Sequence, residues 1–314
     1  MSRPALTYLR VSITSRCNLR CVYCQPAAES AGRDVLSRDE LARFVELAVQ
    51  CGVRKVRLTG GEPLVRADVV ELVRELAGIR DLHDLGLTTN ATRLPALARP
   101  LRAAGLRRIN IGLPAVDPEV YRRVTRVGEV GDALAGLRAA LDAGFEPVKV
   151  NVVVMRGLND GQVAPLAELT RREPVEVRFV EYMPFVDACE GRGRYLVPAD
   201  EVLARVRALG EVEPLAGERG PASAQRYRIR GFEGVVGIIA PHSAPFCAAC
   251  NRVRLTADGA VRACLIDGGE QDVLPLMRAG LDRRAMERIL AEAAARKPER
   301  HAGTFRGDMR RIGG

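Results

Sequence analysis

Three cysteines lie close together near the start of the chain, at Cys17, Cys21 and Cys24, with C-x3-C-x2-C spacing. Three thiolates at this spacing can hold a [4Fe–4S] cluster through three of its four irons. The fourth iron would then lack a protein ligand, since the next cysteine is Cys51. An iron with an open position can bind a substrate, whereas a cluster that only carries electrons is usually closed by a fourth nearby cysteine.

A structural zinc site and a group of buried thiols are the alternatives for these cysteines. Structural zinc sites usually have four ligands, and the nearest histidine in the chain is His83. Buried free cysteines are common in protein cores, but Arg16, Asn18 and Arg20 alternate with these cysteines, which is not typical of a buried run. A disulfide framework is disfavoured in a chain of 314 residues without a signal-peptide pattern. The spacing therefore favours a cluster.

A second trio lies near the other end of the chain, at Cys247, Cys250 and Cys264, with C-x2-C-x13-C spacing. For this trio alone, a zinc site with His242 as a distant fourth ligand stays open. Two sets of three cysteines, each one ligand short, favour two [4Fe–4S] clusters with two open irons.

The composition favours a cytoplasmic enzyme over a membrane or secreted protein. The chain has 314 residues, of which 47% are hydrophobic, enough for one large domain or one domain with an extension. It contains no run of 18 apolar residues, so we expect no membrane span. Reduced cysteines and iron–sulfur chemistry also favour a reducing compartment.

Arginine dominates the charge of the chain. The net charge is +9, and 45 of the 48 basic residues are arginine. Surfaces that bind single-stranded nucleic acid usually combine basic with aromatic residues, but aromatic residues make up only 4% of the chain, so we expect no nucleic-acid partner. Arginine pairs two phosphate oxygens at once through its planar fork. The composition therefore favours a small molecule with a polyphosphate group.

Short apolar runs alternate with amphipathic stretches between residues 8 and 182, which predicts parallel strands joined by helices. The predicted strands are Leu9–Ile13, Lys55–Leu58, Leu85–Thr88, Arg108–Leu113, Val148–Val154 and Val175–Val180. The predicted helices are Arg38–Gln50, Asp68–Leu76, Leu94–Ala104, Gly131–Ala143 and Gly161–Arg171. We therefore predict an α/β fold, an incomplete (β/α)6 TIM-like barrel, with ligands at the carboxyl ends of its strands. The first trio follows the first strand and falls at that end.

The pattern changes after residue 183, where proline and glycine become frequent and shorter strands that look antiparallel follow. These elements are the strands Gln225–Ile229, Val235–Ala240, Val253–Leu255 and Val261–Ala263 and the helix Leu281–Arg296. The pair Asp258-Gly259 is a hairpin turn signal. We predict a partial barrel over residues 1–183 and a C-terminal α+β extension over residues 184–314, which carries the second cluster.

Two motifs lie at the carboxyl ends of the first two predicted strands. Tyr23 precedes the last cysteine of the first trio, which lies in a strand-end loop of the predicted barrel, and the sequence TGGEP at residues 59–63 follows the second strand. Both are similar to motifs of the radical S-adenosylmethionine superfamily, in which the segment that TGGEP resembles meets the amino group of the cofactor's methionine. The resemblance implies that the open iron of the first cluster binds S-adenosylmethionine.

A longer motif and the last two residues narrow the resemblance. The sequence FCAACNRVRLTADG at residues 246–259, followed by Cys264, is similar to the C-terminal cluster motif of the GTP 3′,8-cyclase family, which performs the first step of molybdenum cofactor biosynthesis, and Gly313-Gly314 matches the double-glycine tail of that family. Further matches are YLR at residues 8–10, LTTN at 87–90, VKVN at 148–151 and RFVEYM at 178–183. The resemblance covers essentially the whole chain in the same order.

The resemblance implies a reaction. The reduced first cluster cleaves S-adenosylmethionine to methionine and a 5′-deoxyadenosyl radical, which takes the 3′ hydrogen of the GTP ribose. The ribose radical attacks C8 of guanine and, after reduction, gives 3′,8-cyclo-7,8-dihydro-GTP, while the second cluster holds the guanine ring. The cofactors supply the difficult chemistry, and the protein positions the reactants.

Matching motif to motif implies roles for named residues. The residues implied to bind GTP, mostly through its phosphates, are Arg10, Arg57, Thr88, Lys149, Arg178, Arg252 and Arg254. The residues implied to bind S-adenosylmethionine are Tyr23, Gly61, Gly112 and Met183. The residues implied to act in catalysis are Arg252, Arg254, Gly313 and Gly314. The six cysteines of the two trios are the implied metal ligands.

One segment departs from the family pattern. The family usually has Ser-Leu-Asp-Ala after the fourth strand, where this chain has Gly112-Leu113-Pro114-Ala115. The serine hydroxyl that would contact the cofactor is absent, although Gly112 can offer backbone contacts. A paralogue that acts on another nucleotide therefore stays open.

The implied partners are GTP, an external electron donor and the next pathway enzyme, which receives the product; a monomer and a homodimer both stay open.

The alternative function is a radical S-adenosylmethionine enzyme that modifies peptides and has an auxiliary cluster. Such enzymes usually carry more C-terminal cysteines than three and have no reason to end in Gly-Gly. An iron–sulfur carrier or a zinc-dependent nucleic-acid binder is an alternative of another class, but neither explains the open coordination positions together with the Gly-Gly-Glu-Pro motif.

Overall fold

Strands and helices alternate in the first part of the computed structural model, which describes residues 4–24, 35–183, 194–216, 224–303 and 307–313. The strands are β1 (Tyr8–Ser12), β2 (Lys55–Thr59), β3 (Asp84–Thr89), β4 (Arg108–Gly112), β5 (Val148–Val154) and β6 (Val175–Glu181). The helices are α1 (Arg38–Gln50), α2 (Val69–Ala77), α3 (Leu94–Ala103), α4 (Pro118–Thr125), α5 (Val130–Asp142) and α6 (Val163–Ala167). All six predicted strands of this part are confirmed.

The second part of the chain adds six further described strands and four described helices. The strands are β7 (Val212–Leu215), β8 (Gln225–Ile229), β9 (Val235–Ile239), β10 (Arg252–Leu255), β11 (Ala260–Cys264) and β12 (Gly268–Asp272). The helices are α7 (Ala199–Arg207), α8 (Leu274–Arg278), α9 (Arg283–Ala295) and α10 (Met309–Ile312). The predicted division of the chain at residue 183 stays a prediction.

All of the described strands form one curled sheet, in the order β12-β11-β10-β1-β2-β3-β4-β5-β6-β9-β8-β7. Both β9 and β10 were expected to look antiparallel, and this is wrong for their pairing with the barrel: β10 pairs in parallel with β1, and β9 pairs in parallel with β6. Each also forms an antiparallel hairpin with its sequence neighbour, β11 or β8. Local turn signals report only the hairpin, because the barrel edge that each strand joins is distant in sequence. The extension therefore lengthens both edges of the predicted barrel.

Local sequence signals mark both ends of α1. At the start of α1, the Glu40 N–H donates to Ser37 Oγ at 3.1 Å, and the Ser37 N–H donates to the Glu40 carboxylate at 2.8 Å. Gly52 follows α1 with φ +104°, a left-handed conformation that favours glycine. The helix predicted at Gly161–Arg171 is instead a short α6 between two 3-10 turns. Pro165 lies within it and cannot donate a backbone hydrogen bond, which disfavours a continuous helix.

The two faces of the central strands differ in chemistry. One face belongs to the apolar core that the helices share, through Leu9, Val11, Val56, Leu58, Leu87, Ile109, Ile111, Val150, Val152, Val177 and Phe179. The alternate residues line the hollow side of the curled sheet and are largely polar, among them Arg10, Arg57, Asn110, Lys149 and Arg178. A closed TIM barrel fills its interior with branched apolar side chains. Here the core lies outside the strands, and the interior is left to a cavity.

The search for membrane spans gives a negative result. In the parts of the chain that the structure describes, no helix has both the length and the apolar character needed to cross a bilayer.

Candidate active site

A cavity of about 570 Å³ lies inside the curled sheet. It extends from the loop after β1, at the carboxyl ends of the strands, to Tyr8 and Lys55 at the amino ends of β1 and β2. The predicted residues that line it are Cys17, Cys21, Tyr23, Cys24, Gly61, Gly112 and Met183 together with Arg10, Arg57, Thr88, Lys149, Arg178, Arg252 and Arg254. The motifs therefore converge on one space, while the role of each residue stays a prediction.

The first trio lies in the loop after β1. The Leu19 N–H points at Cys17 Sγ at 3.4 Å, and the Cys21 and Cys24 thiols hydrogen-bond each other. Burial raises the pKa of Cys17 to about 12, so a bound metal must displace its proton. Among the described residues, no three His, Cys, Asp or Glu side chains surround a single ion. A [4Fe–4S] cluster instead takes each thiolate on a separate iron, and three thiols on one short loop fit that donor set.

Helix α4 anchors the loop that carries this trio. The Arg20 N–H donates to the Thr125 carbonyl at 3.1 Å, and the Val22 N–H donates to the Val124 carbonyl at 2.9 Å. Sequence analysis missed α4, although Asp117 caps it and Pro118 occupies its first turn, which are recognised start signals. The loop is thus held from the outer layer of the barrel as well as from β1.

The Gly-Gly-Glu-Pro segment packs backbone to backbone against the same loop. The Gly61 N–H donates to the Thr14 carbonyl and the Glu62 N–H donates to the Arg16 carbonyl, both at 2.8 Å. A Cβ at Gly60 would press against the Thr14 carbonyl oxygen, and one at Gly61 would overlap the Arg16 carbonyl. Both glycines are required because only a bare backbone allows this approach. The segment therefore fixes one wall of the cavity next to the first trio.

Glu62 locks this segment in place. Its side chain is 1% exposed and accepts hydrogen bonds from Thr89 Oγ1 at 2.6 Å, the Asn90 N–H at 2.7 Å and the Leu64 N–H at 3.0 Å. Burial raises the pKa of Glu62 to about 6 against the opposing effect of these hydrogen bonds. Thr89 and Asn90 belong to the LTTN motif, so Glu62 joins that motif to the Gly-Gly-Glu-Pro segment.

Buried arginines line the cavity further towards the amino ends of the strands that precede the trio loop and the Gly-Gly-Glu-Pro segment. Arg10 on β1 lies in register with Arg57 on β2 and with Arg254 on β10. Burial, and after it the charges of Arg10 and Arg252, lower the pKa of Arg254 to about 9. Burial also lowers the pKa of Arg10. So many guanidinium groups crowd together at a cost that a bound polyanion would relieve.

Tyr8 lies among these cations, although sequence analysis noted it only as part of a motif. Its ring is 5.6 Å from the Arg252 guanidinium and 5.1 Å from Lys55 Nζ. Burial alone would raise the pKa of Tyr8, but Arg57, Arg10 and Arg252 lower it to about 7. The hydroxyl therefore acts as a hydrogen-bond acceptor for the arginines around it.

A buried carboxylate positions the two basic residues on the far side of the cavity. Glu176 accepts from Lys149 Nζ at 3.1 Å and from Arg178 Nε at 2.6 Å, and it is 5% exposed. Burial would raise the pKa of Glu176, but Arg178 and Lys149 lower it below its usual range. Sequence analysis missed Glu176, because a lone glutamate on a strand gives no signal of its partners.

Two oxygen atoms on the cavity wall have no hydrogen-bond partner among the described residues. They are Thr88 Oγ1 and Asn151 Oδ1, and both are buried. Buried polar groups are almost always hydrogen-bonded. The wall at this level is therefore built to contact a polar ligand.

The second trio lies beside the cavity rather than on its lining. Cys247 and Cys250 belong to a 3-10 turn before β10, and Cys264 ends β11. Their neighbours Phe246 and Leu265 line the cavity. Cys250 and Cys264 both act electrostatically on Cys247. The three cysteines therefore lie near one another, although thirteen residues separate Cys250 from Cys264. No zinc-type group that includes His242 is found in the described part of the chain.

The C-terminal segment inserts between the two trios. Met309 on α10 packs against Cys24 of the first trio and Leu265 beside the second. Gly313 has φ +77°, and a Cβ there would overlap Thr59 Oγ1, so only glycine fits. Gly314 lies outside the described residues. Arg310, which sequence analysis did not single out, lines the cavity.

Both halves of the chain match models of known protein families. Residues 11–170 match the family model described as the radical SAM superfamily, and residues 175–303 match the model described as Molybdenum Cofactor Synthesis C. The first match covers about half of the chain and contains the first trio and the Gly-Gly-Glu-Pro segment.

Curated relatives decide the family. A GTP 3′,8-cyclase of Moorella thermoacetica is 44% identical over 94% of this chain and 92% of the relative. Those of Geobacter sulfurreducens and Listeria monocytogenes are 43% and 40% identical over 94% of this chain and 91% and 89% of the relatives. The chain belongs to the GTP 3′,8-cyclase family of the radical S-adenosylmethionine superfamily. The resemblance drawn from the motifs is confirmed, and membership implies a [4Fe–4S] cluster and S-adenosylmethionine.

Solved structures support the fold. Streptococcus suis SuiB bound to S-adenosylmethionine gives a TM-score of 0.62 at 14% identity, covering 91% of this chain and 68% of SuiB. The hydrogenase maturase HydG gives 0.51 at 15% identity, covering 64% of this chain and 48% of HydG. At these identities the likeness concerns the fold alone, and it confirms the partial-barrel prediction.

Proposed function

We propose that this chain converts GTP to 3′,8-cyclo-7,8-dihydro-GTP, the first step of molybdenum cofactor biosynthesis. The observation that carries the proposal is one cavity with a cysteine trio at one end and a wall of buried arginines at the other. The relatives named GTP 3′,8-cyclase match over 94% of the chain, which supports the same reaction. The extension with the second trio further supports an enzyme of this family over a simple iron–sulfur carrier.

The residues of the chain would hold S-adenosylmethionine and GTP at the two ends of one cavity. When bound, the first cluster and S-adenosylmethionine supply a carbon radical at the trio end of the cavity. Tyr23, Gly61, Gly112 and Met183 lie at that end and would hold S-adenosylmethionine. The interior basic residues would hold the triphosphate deeper in the barrel, so that the ribose lies between them and the radical. Placement of this kind accounts for much of what a protein contributes to such chemistry.

The triphosphate site would use fixed rather than flexible cations. Arg10, Arg57 and Arg254 are buried or half-buried on strands in register, and Glu176 holds Lys149 and Arg178 in place. Arginine forks pair phosphate oxygens two at a time. The orphaned oxygen of Thr88 would accept or donate one further hydrogen bond to the nucleotide.

A second [4Fe–4S] cluster would be held by Cys247, Cys250 and Cys264. Three clustered thiols, with no fourth cysteine beside them in the part of the chain that the structure describes, would leave one iron open, and Phe246 and Leu265 connect this site to the cavity. The open iron would face the guanine of a nucleotide whose triphosphate lies among the arginines. Gly313 would let the tail pass close to the reacting groups, and Gly314 would continue it.

The remaining partners follow from the reaction. Reductive cleavage of S-adenosylmethionine and reduction of the cyclised radical require an external electron donor, and the next pathway enzyme would take up the product. We propose the cytoplasm as the location, since the clusters need a reducing compartment. We propose no nucleic-acid partner, and both a monomer and a homodimer are consistent with the reaction.

The test is an anaerobic incubation of the reconstituted protein with S-adenosylmethionine, a reductant and each nucleoside triphosphate in turn. Mass spectrometry should find 5′-deoxyadenosine and a cyclised nucleotide with GTP only. A cyclised product from another nucleotide would show the paralogue, and 5′-deoxyadenosine without any nucleotide product would refute the proposal. The Arg252→Ala/Arg254→Ala variant should lose GTP binding far more than S-adenosylmethionine binding, whereas Arg288→Ala on the exposed face of α9 should change neither.

A further inference from the structure

Lys297 is a buried cation that no motif identifies. It follows α9 near the second trio and is 6% exposed. Its Nζ donates to the Ala263 carbonyl at 3.0 Å and to Cys250 Sγ at 3.5 Å. Burial of an ammonium group is costly unless it is paired and hydrogen-bonded. The contacts of Lys297 must therefore account for its position.

The groups that face Lys297 are thiols rather than carboxylates. Nζ donates to Cys250 Sγ, and the other group it contacts, the Ala263 carbonyl, immediately precedes Cys264. Among the described residues, no carboxylate lies within ion-pair distance of Nζ. Lys297 also does not line the cavity, so its charge is not presented to the nucleotide. A cluster held by Cys250 and Cys264 would supply the negative charge that this buried ammonium otherwise lacks.

We propose that Lys297 is a positioning residue for the second cluster: its ammonium orients the Cys250 thiolate and raises the reduction potential of a cluster held by Cys247, Cys250 and Cys264. This inference rests on the proposed second cluster. Hydrogen bonds and positive charge at a cluster's sulfurs stabilise the reduced form, which carries one more negative charge.

The ammonium contacts one of the three ligands directly and is tied to the backbone beside a second. Nζ is tied to Ala263, the residue before Cys264, so the same ammonium bridges the chain segments that carry two of the three thiols. The next residue towards α9, Arg296, hydrogen-bonds Glu292 and the Glu270 carbonyl and touches no cysteine. The chain thus offers a matched control one position away.

The experiment isolates the second cluster in the full chain by replacing the first trio with serine, Cys17→Ser/Cys21→Ser/Cys24→Ser. After anaerobic reconstitution, iron and sulfide analysis should find one [4Fe–4S] cluster. A background protein without iron would overturn the second cluster itself, independently of Lys297. With the cluster present, a redox titration followed by electron paramagnetic resonance gives its midpoint potential.

Three substitutions then grade the interaction in this background. We expect the midpoint potential to become more negative in the order Lys297→Arg, Lys297→Gln, Lys297→Met, with altered g-values in the last two, while Arg296→Met leaves both unchanged. Lys297→Gln removes the charge but keeps a hydrogen-bond donor, so it distinguishes the effect of the charge on the potential from the effect of the hydrogen bond. A wild-type potential in all three variants overturns the proposal. Failure of all three to bind a cluster, with circular dichroism unchanged, also overturns it, because Lys297 would then be needed for assembly rather than for setting the potential.

Discussion

Replacement of Arg254 should make the ligand-free protein more stable and the nucleotide complex weaker. Arg254 is 6% exposed on β10, and burial, then Arg10 and Arg252, lower its pKa to about 9. The guanidinium is nevertheless charged at neutral pH, so the fold bears the cost of that charge. Arg254→Met keeps a side chain of similar length and removes the charge.

The size of the effect follows from the pKa. An arginine side chain ordinarily has a pKa above 12, and each tenfold change in the equilibrium is worth about 1.4 kcal/mol. The fall of the pKa to about 9 therefore corresponds to an upper bound of roughly 5 kcal/mol for holding the charge inside the barrel. Replacing buried charges by apolar side chains of similar volume often gains about 1–4 kcal/mol. We expect about 2 kcal/mol, the middle of that range.

The assay compares thermal unfolding of the two reconstituted proteins without nucleotide. One kcal/mol moves the midpoint of a domain of 150–250 residues by about 2–4 °C, so a gain of several degrees is expected. In the same variant, GTP affinity should fall about tenfold to a hundredfold, the value of one charge-assisted hydrogen bond of about 1.5–3 kcal/mol. Arg288→Met, on the exposed face of α9, controls for the loss of any arginine.

The pH dependence gives an independent check. Between about pH 9 and 12, the unfolded chain retains the Arg254 proton that the folded state has lost, so the contribution of Arg254 to stability rises with pH in this window. The stability gap between Arg254→Met and wild type should therefore be widest near pH 7 and should narrow above pH 9. A variant less stable than wild type at pH 7, or a gap that does not change with pH, would refute the argument that the arginines repel one another.

Three further predictions concern the two trios, the tail and the departure from the family. Cys21→Ser should abolish S-adenosylmethionine cleavage, whereas Cys250→Ser should keep some cleavage and lose the cyclised nucleotide; equal loss of both products in the folded Cys250 variant would contradict separate roles. Gly313→Ala should lose product formation, because the new Cβ meets Thr59 Oγ1, while S-adenosylmethionine binding measured by calorimetry persists; wild-type turnover would contradict this. Gly112→Ser should fit, since its nearest contact is 3.8 Å away, and should tighten S-adenosylmethionine binding by about 1 kcal/mol; unchanged affinity would mean that the serine contact is not missed here.

The sequence predicted the barrel strands well because their pattern is local. Alternation of arginine or lysine with apolar residues, as in Arg10 between Leu9 and Val11, distinguishes a strand with a polar inner face. Helix α4 was missed although Asp117 and Pro118 mark its start, since the stretch is only eight residues long. The cysteine spacings were equally local signals for both trios.

Contacts between distant segments could not be predicted from local patterns. The parallel pairing of β9 and β10 with the barrel edges depends on strands far away in sequence. The roles of Glu176 and Lys297 depend on partners on other elements, Lys149 and Cys250. A single charged residue on a strand or after a helix carries no signal of such a partner. Those residues therefore emerge only once the fold is known.

Placing the apolar core outside the strands has a consequence for how such proteins diversify. In a filled barrel, the inward residues both hold the fold and limit what it can bind. Here the apolar core lies on the face shared with the helices, so residues such as Arg57 and Lys149 on the inner face are not needed to fill the core. Ligand preference can then change through substitutions on the inner face while the outer face is retained. The fold shared with SuiB at 14% identity shows how far sequence can drift on this scaffold.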